Sequence, residues 1–157
     1  MRIAPLAYTT GLALLIASAA AGGAALGKAQ ALRIMHDRHE GMETIGKATK
    51  IINRELKASS PNLGTVRASS AQIARLSARV PGWFPQGTGP DVGKTHAKAE
   101  IWQKPADFSA KAADFRKAAL AFNAAARGRN VEAMKAAFGN LGKACKACHD
   151  PYRAPEH

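Results

Sequence analysis

Residues 145 to 149 read Cys-Lys-Ala-Cys-His and contain the only two cysteines of the chain. Two thiols at this spacing, followed at once by an imidazole, form the pattern of covalent c-type haem attachment. Each thiol can add to one haem vinyl group to leave a thioether, and the adjoining imidazole is then held beside the iron as an axial ligand. Cys145 and Cys148 are thus the expected attachment points, one haem c the expected cofactor, and His149 the expected proximal ligand. Three other chemistries also use cysteine pairs. A thioredoxin-like pair wants a strand before it and a helix N-terminus to lower the thiol pKa. A structural zinc site needs four ligands, and beyond His149 only His36, His39, His96 and His157 could join, none at a convincing paired metal spacing. A plain disulfide would explain the cysteines but leave His149 without a role.

The elements that must position this pentapeptide are helices. Met35, Arg38, Met42, Ile45, Thr49, Ile52 and Leu56 follow alternating steps of three and four, the rhythm of one buried stripe. Ser59-Ser60-Pro61-Asn62 breaks that run. A second, shorter segment passes through Val66, Ser69, Ile73, Leu76 and Val80, and Pro81-Gly82 ends it. From Pro81 to Pro105 the chain is rich in proline and glycine and carries Trp83, Phe84 and Trp102. It reads as an ordered crossover whose aromatics need a surface to pack on. A third segment aligns Phe108, Ala112, Phe115, Ala119, Phe122 and Ala126, and Arg127-Gly128-Arg129-Asn130 makes the turn. The fourth aligns Val131, Met134, Phe138, Leu141, Cys145 and Cys148. Tyr152 would continue this stripe, but Pro151 lacks a backbone donor, so the helix is predicted to end near Asp150 or fray beyond it.

Four amphipathic segments with two short connections and one long one predict an all-α fold, an antiparallel four-helix bundle with haem in its core. Positions i and i+3 share a helix face, so both thiols would point into the bundle and the haem would enter it edgewise.

Met1-Arg2 followed by an uncharged run from Ile3 to Leu26, ending in small residues, predicts a secretory signal peptide over residues 1–25. The bundle would then occupy 26–157. The competing reading is an uncleaved anchor, disfavoured by Pro5 and by the alanine and glycine content. The chain has a formal charge of +12, and only 6% of its residues are aromatic. Few large side chains argue against a sheet sandwich, and basic residues scattered along the helices argue against nucleic-acid binding. No nucleophile-base pair or glycine-rich phosphate loop is present, so an enzyme is not expected.

With these residues in view, the chain resembles the class II c-type cytochromes, the cytochrome c-prime family. The resemblance runs over residues 30 to 153 and includes the pentapeptide and Tyr152-Arg153 after it. It also includes Phe138-Gly139-Asn140-Leu141-Gly142-Lys143-Ala144 before it, Trp83-Phe84-Pro85, Glu100-Ile101-Trp102, and Arg38-His39-Glu40-Gly41-Met42 with Ile45-Gly46. The resemblance implies that the residue four after the arginine faces the iron. Met42 holds that place, as in low-spin six-coordinate members; Met35 is the fallback ligand, and a methionine on a core stripe can also be simple packing. Members with a non-ligating side chain there leave the iron five-coordinate and open to small gases.

Arg38 within a buried stripe needs a partner for its charge, and no carboxylate falls on the facing stripes. A haem propionate would serve; the alternative is that Arg38 lies at the stripe edge and snorkels to solvent. Arg153 enters the pocket set on the family pattern alone. The expectation is a periplasmic electron carrier with low-spin His149/Met42 iron; the alternative is a five-coordinate protein that binds NO or CO. The implied partners are redox proteins with acidic surfaces, and the family pattern also implies a possible homodimer.

Overall fold

In the computed structural model, which describes residues 26–155, four long helices follow the predicted stripes. They are α1 (Lys28–Lys57), α2 (Leu63–Ser77), α4 (Pro105–Ala126) and α5 (Val131–Tyr152). The crossover carries a 3₁₀ turn over Val80–Trp83 and a short helix, α3 (Glu100–Gln103), which the sequence did not announce. The predicted leader, residues 1–25, and His157 lie outside the described residues. No described helix is long and apolar enough to cross a membrane.

Local chemistry sets the helix boundaries. Asn62 and Asn130 act as N-caps, their Oδ1 atoms accepting from the N–H of Thr65 and of Ala133, each at 3.0 Å. Each bond satisfies one backbone donor that a first helical turn otherwise leaves without a partner. Arg54 and Lys57 place positive charge at the C-terminal end of α1, where the helix dipole favours it. The expected stop of the last helix near Asp150 is two residues short. Pro151 is accommodated in the final turn, and the Arg153 N–H closes that turn on the His149 carbonyl at 2.9 Å. A proline there forfeits a single helical bond, which the burial of Tyr152 offsets.

The core runs the length of the bundle. Ile52, Val66, Ile73, Phe122 and Met134 are inaccessible to solvent, each such burial being worth roughly 1.5–3 kcal/mol. Small residues let the helices approach: Ser70 lies fully buried between α2 and α4 and reaches Asn123 Oδ1 at 3.1 Å. Neighbouring helices pack as α1 on α2, α2 on α4 and α4 on α5. The α1–α5 seam, which would close the ring, is the sparsest of the four.

The crossover aromatics find the surface they need at the end of the bundle where α5 finishes. Phe84 meets Phe108 edge-on at 4.8 Å, and Phe108 meets Tyr152 in the same way at 5.4 Å. Trp102 Nε1 donates to the carbonyls of Phe84 and Pro85. Ile101, Phe108 and Tyr152 thus make a second, smaller core beside the main one.

Candidate haem site

The pentapeptide occupies the last turns of α5. Cys145 packs against the main core and Cys148 against the smaller one, so the two half-buried thiols sit where the cores meet. Burial pushes both thiols above their ordinary pKa, more strongly than any neighbouring charge acts on them. A thioredoxin-like nucleophile needs the reverse shift, which a helix N-terminus provides, whereas this pair lies at the C-terminal end of its helix. No cysteine belongs to any group of three metal-ligating residues among the described residues. Both thiols face the apolar junction of the two cores, where a haem vinyl group can be presented to them.

His149 follows on the same turn. Desolvation, with a further push from Arg153, holds its pKa below the ordinary histidine value, so the neutral ring with a free lone pair is favoured. That is the form a metal ion takes as ligand. Arg153 is exposed, and its backbone forms a bridge with Ala97 that ties the end of α5 to the crossover.

On α1, most of the predicted stripe is shut: Met35, Ile45, Ile52 and Leu56 are buried. Met42 is only half-buried, as are Phe138, Cys145 and Cys148 on α5. The stripes therefore stay partly open at the positions expected to face haem, and α1 and α5 meet along the loosest seam of the bundle.

Arg38 is 4% exposed, which rules out the snorkelling alternative. Its Nη1 donates to the Trp83 carbonyl at 3.3 Å and to Thr88 O and Oγ1 at 3.1 and 3.3 Å; its Nη2 donates to Thr88 O at 3.1 Å and Thr95 Oγ1 at 3.0 Å. The ring of Phe84 lies 4.8 Å beneath it. These partners are all neutral, and among the described residues no carboxylate forms an ion pair with it. Desolvation lowers its pKa to about 10. Trp83, from the same stretch, buries an indole N–H without an acceptor. Its ring lies so close to α1 that a Cβ on Gly41 would come within 2.4 Å of it. Arg38, a buried charged donor with only neutral partners, fits the carboxylate edge of a haem.

Sequence reasoning missed one support of the site. The Tyr152 hydroxyl donates to the Asp107 carboxylate, linking the end of α5 to the start of α4. This bond is the main cause holding Asp107 below the usual carboxylate range, and it pushes Tyr152 up to about 12. The depressed Asp107 contributes stability above its ordinary value of 3.8, which is lost as pH falls through the lower folded value. The raised Tyr152 contributes below its ordinary value of 10.0, and this is lost as pH rises toward about 12. Tyr152→Phe should therefore lower the urea midpoint at neutral pH and flatten its fall on both the acid and the alkaline side. Urea titrations of variant and parent across that range check this; parallel curves would show that the bond contributes nothing.

Residues 33–153 match the family described as Cytochrome C'. Cytochrome c' of Pararhodospirillum photometricum is 31% identical over 116 residues, covering 74% of this chain and 92% of that protein. Cytochrome c' of Allochromatium vinosum is 34% identical over 150 residues, covering 88% of this chain and 97% of that one. Among solved structures, cytochrome c' from Thermochromatium tepidum superposes with a TM-score of 0.75 at 31% identity, covering 84% of this chain and all of that one. A nitric oxide complex of a mutant cytochrome c prime from Alcaligenes xylosoxidans superposes at 0.70 with 27% identity, covering 82% and 97%.

These relatives overturn one expectation while upholding the fold and the haem. A low-spin iron ligated by both His149 and Met42 does not agree with relatives that are cytochromes c', one of them solved with nitric oxide bound. A diatomic ligand at the iron needs a coordination position that no thioether fills. Met42 packs instead against the main apolar core, the ordinary use of a flexible thioether on a buried stripe. Met35, the fallback ligand, is 7% exposed and lies against Gly93 of the crossover.

Proposed function

The chain belongs to the cytochrome c' family and carries one covalent haem c, and from that premise we propose that it is an exported, periplasmic haem protein with five-coordinate iron. It binds small gases such as nitric oxide and carbon monoxide, exchanges electrons with protein partners, and catalyses no reaction of its own. Once bound, the haem supplies an iron that changes oxidation state and accepts a diatomic ligand.

The chain's own residues do the rest. Cys145 and Cys148 tether the group by thioethers, and His149 offers its neutral nitrogen as the single protein ligand. Met42 lines the other side, where its apolar side chain excludes water and leaves a small uncharged ligand room to enter. Arg38 holds a propionate, with Arg153 beside the end of α5. The observation that carries this reading is the partly open α1–α5 seam, with half-buried Met42 on one side and the half-buried thiols on the other. The charge of +12 supports recruitment of redox partners with acidic surfaces, an attraction that weakens as salt rises.

Absorption spectroscopy of the purified protein tests the proposal. The reduced protein should give a broad, high-spin spectrum that shifts on adding carbon monoxide. Met42→Ala should keep that spin state and bind the gas faster, because the substitution only removes bulk. A narrow low-spin band indifferent to carbon monoxide, turning high-spin in Met42→Ala, would sink it.

A further inference from the structure

A second group of ligating side chains lies on the exposed face of α1, turned away from the stripe that carries Arg38 and Met42. One nitrogen of His39 and one carboxylate oxygen each from Glu40 and Glu43 lie within 4.8 Å of one another. Glu43 stands four residues after His39 and three after Glu40, so its carboxylate can meet both across adjoining turns. His39 Nε2 stands 3.6 Å from Glu43 Oε1, while Lys47 Nζ holds the other oxygen, Oε2, at 2.8 Å. The lysine thus fixes the Glu43 carboxylate from its far side and leaves Oε1 turned toward the imidazole.

Acidic residues are concentrated on this stretch of α1. Across a chain of net charge +12, three of the 11 acidic residues, Asp37, Glu40 and Glu43, fall within seven positions. Two carboxylate oxygens meet beside one imidazole, and Lys47 holds Glu43 through its other oxygen only. A divalent ion between the three ligand atoms would be held by all of them. Imidazole with carboxylate is a donor set that suits zinc, copper and nickel and is too rich in nitrogen for calcium or magnesium.

We propose that His39, Glu40 and Glu43 form a surface site for a divalent first-row transition-metal ion of the zinc class, completed by water and separate from the haem. The three ligands converge only while this turn is helical, so the ion clips the turn whose buried side holds Arg38 and Met42. Metal binding then stabilises the folded chain, since the unfolded chain has no such site.

Calorimetric titration of the intact haem-loaded protein with Zn²⁺ alone tests this. One ion per chain is expected. His39→Gln and Glu43→Gln should each weaken binding by at least about tenfold, because even groups one shell beyond a metal's ligands change affinity by about 10–100-fold. Glu40→Gln should weaken it too, and His96→Gln should not. The haem spectrum reports whether each variant is folded, and these substitutions are at exposed positions. In a second measurement, Zn²⁺ should raise the thermal midpoint of the parent but not of His39→Gln. Absence of saturable binding overturns the proposal. So does binding that His39→Gln leaves unchanged, which marks general attraction to carboxylates, or binding that only His96→Gln abolishes.

Discussion

Replacing Cys145 and Cys148 together with alanine will produce a chain that loses all of its haem under denaturing conditions, while each single variant will keep it. On the proposed attachment two thioethers hold the group, and either alone carries it through denaturation. Without both, only the half-buried seam between α1 and α5 and the His149 nitrogen remain to bind it. The structure makes this effect large because these are the only cysteines and both already face the apolar junction of the two cores. Haem-stained denaturing gels measure it directly; stain retained by the double variant would place the attachment elsewhere. The double variant should also unfold at lower temperature, because a tethered ligand that binds only the folded state adds to its stability. His149→Ala separates tether from ligation: it should retain the stain but show an altered absorption spectrum.

The second large effect belongs to Arg38. Arg38→Met keeps the length of the apolar stem and removes all five hydrogen bonds from the guanidinium to the crossover. Thr88 is fully buried and accepts three of these bonds, so the variant strands acceptors that water cannot reach. A buried bond from a charged donor contributes about 1.5–3 kcal/mol, and several are lost at once, so a destabilisation of about 3 kcal/mol is expected, with the crossover loosening first. Urea unfolding gives the magnitude, and hydrogen exchange at residues 83 to 95 locates it. A change below about 0.5 kcal/mol, the usual scatter for substitutions at unremarkable surface positions, would show that the crossover does not depend on this clamp.

Arg38 also shows how far a sequence can be read. Its place on an apolar stripe left two readings, a buried guanidinium in need of partners or one snorkelling to solvent. The partners could not be read, because Thr88 and Thr95 lie 50 and 57 positions away in a segment without periodicity. The same contrast separates Tyr152, whose burial continued the stripe of α5, from its bond to Asp107, 45 positions distant. His39, Glu40 and Glu43 were visible as residues, but histidine spacing alone concealed them, because the imidazole converges with carboxylates and with no second histidine. Met42 marks the opposite case. Its position on the stripe was legible, yet a thioether beside iron and a thioether in a core share one spacing, and the relatives decided between them.

The sequence by itself pointed to a covalent haem c and to the only two cysteines, on the last of four helices, that can tether it. Those facts are local: a covalent motif needs five consecutive residues, and a helix declares its buried face within a few turns. Only the tertiary structure decided that α1 and α5 close loosely around that motif, that the crossover is pinned by a buried guanidinium, and that the end of α5 is held from α4. These depend on elements that meet after folding, where packing geometry selects among many partners of equal chemical merit.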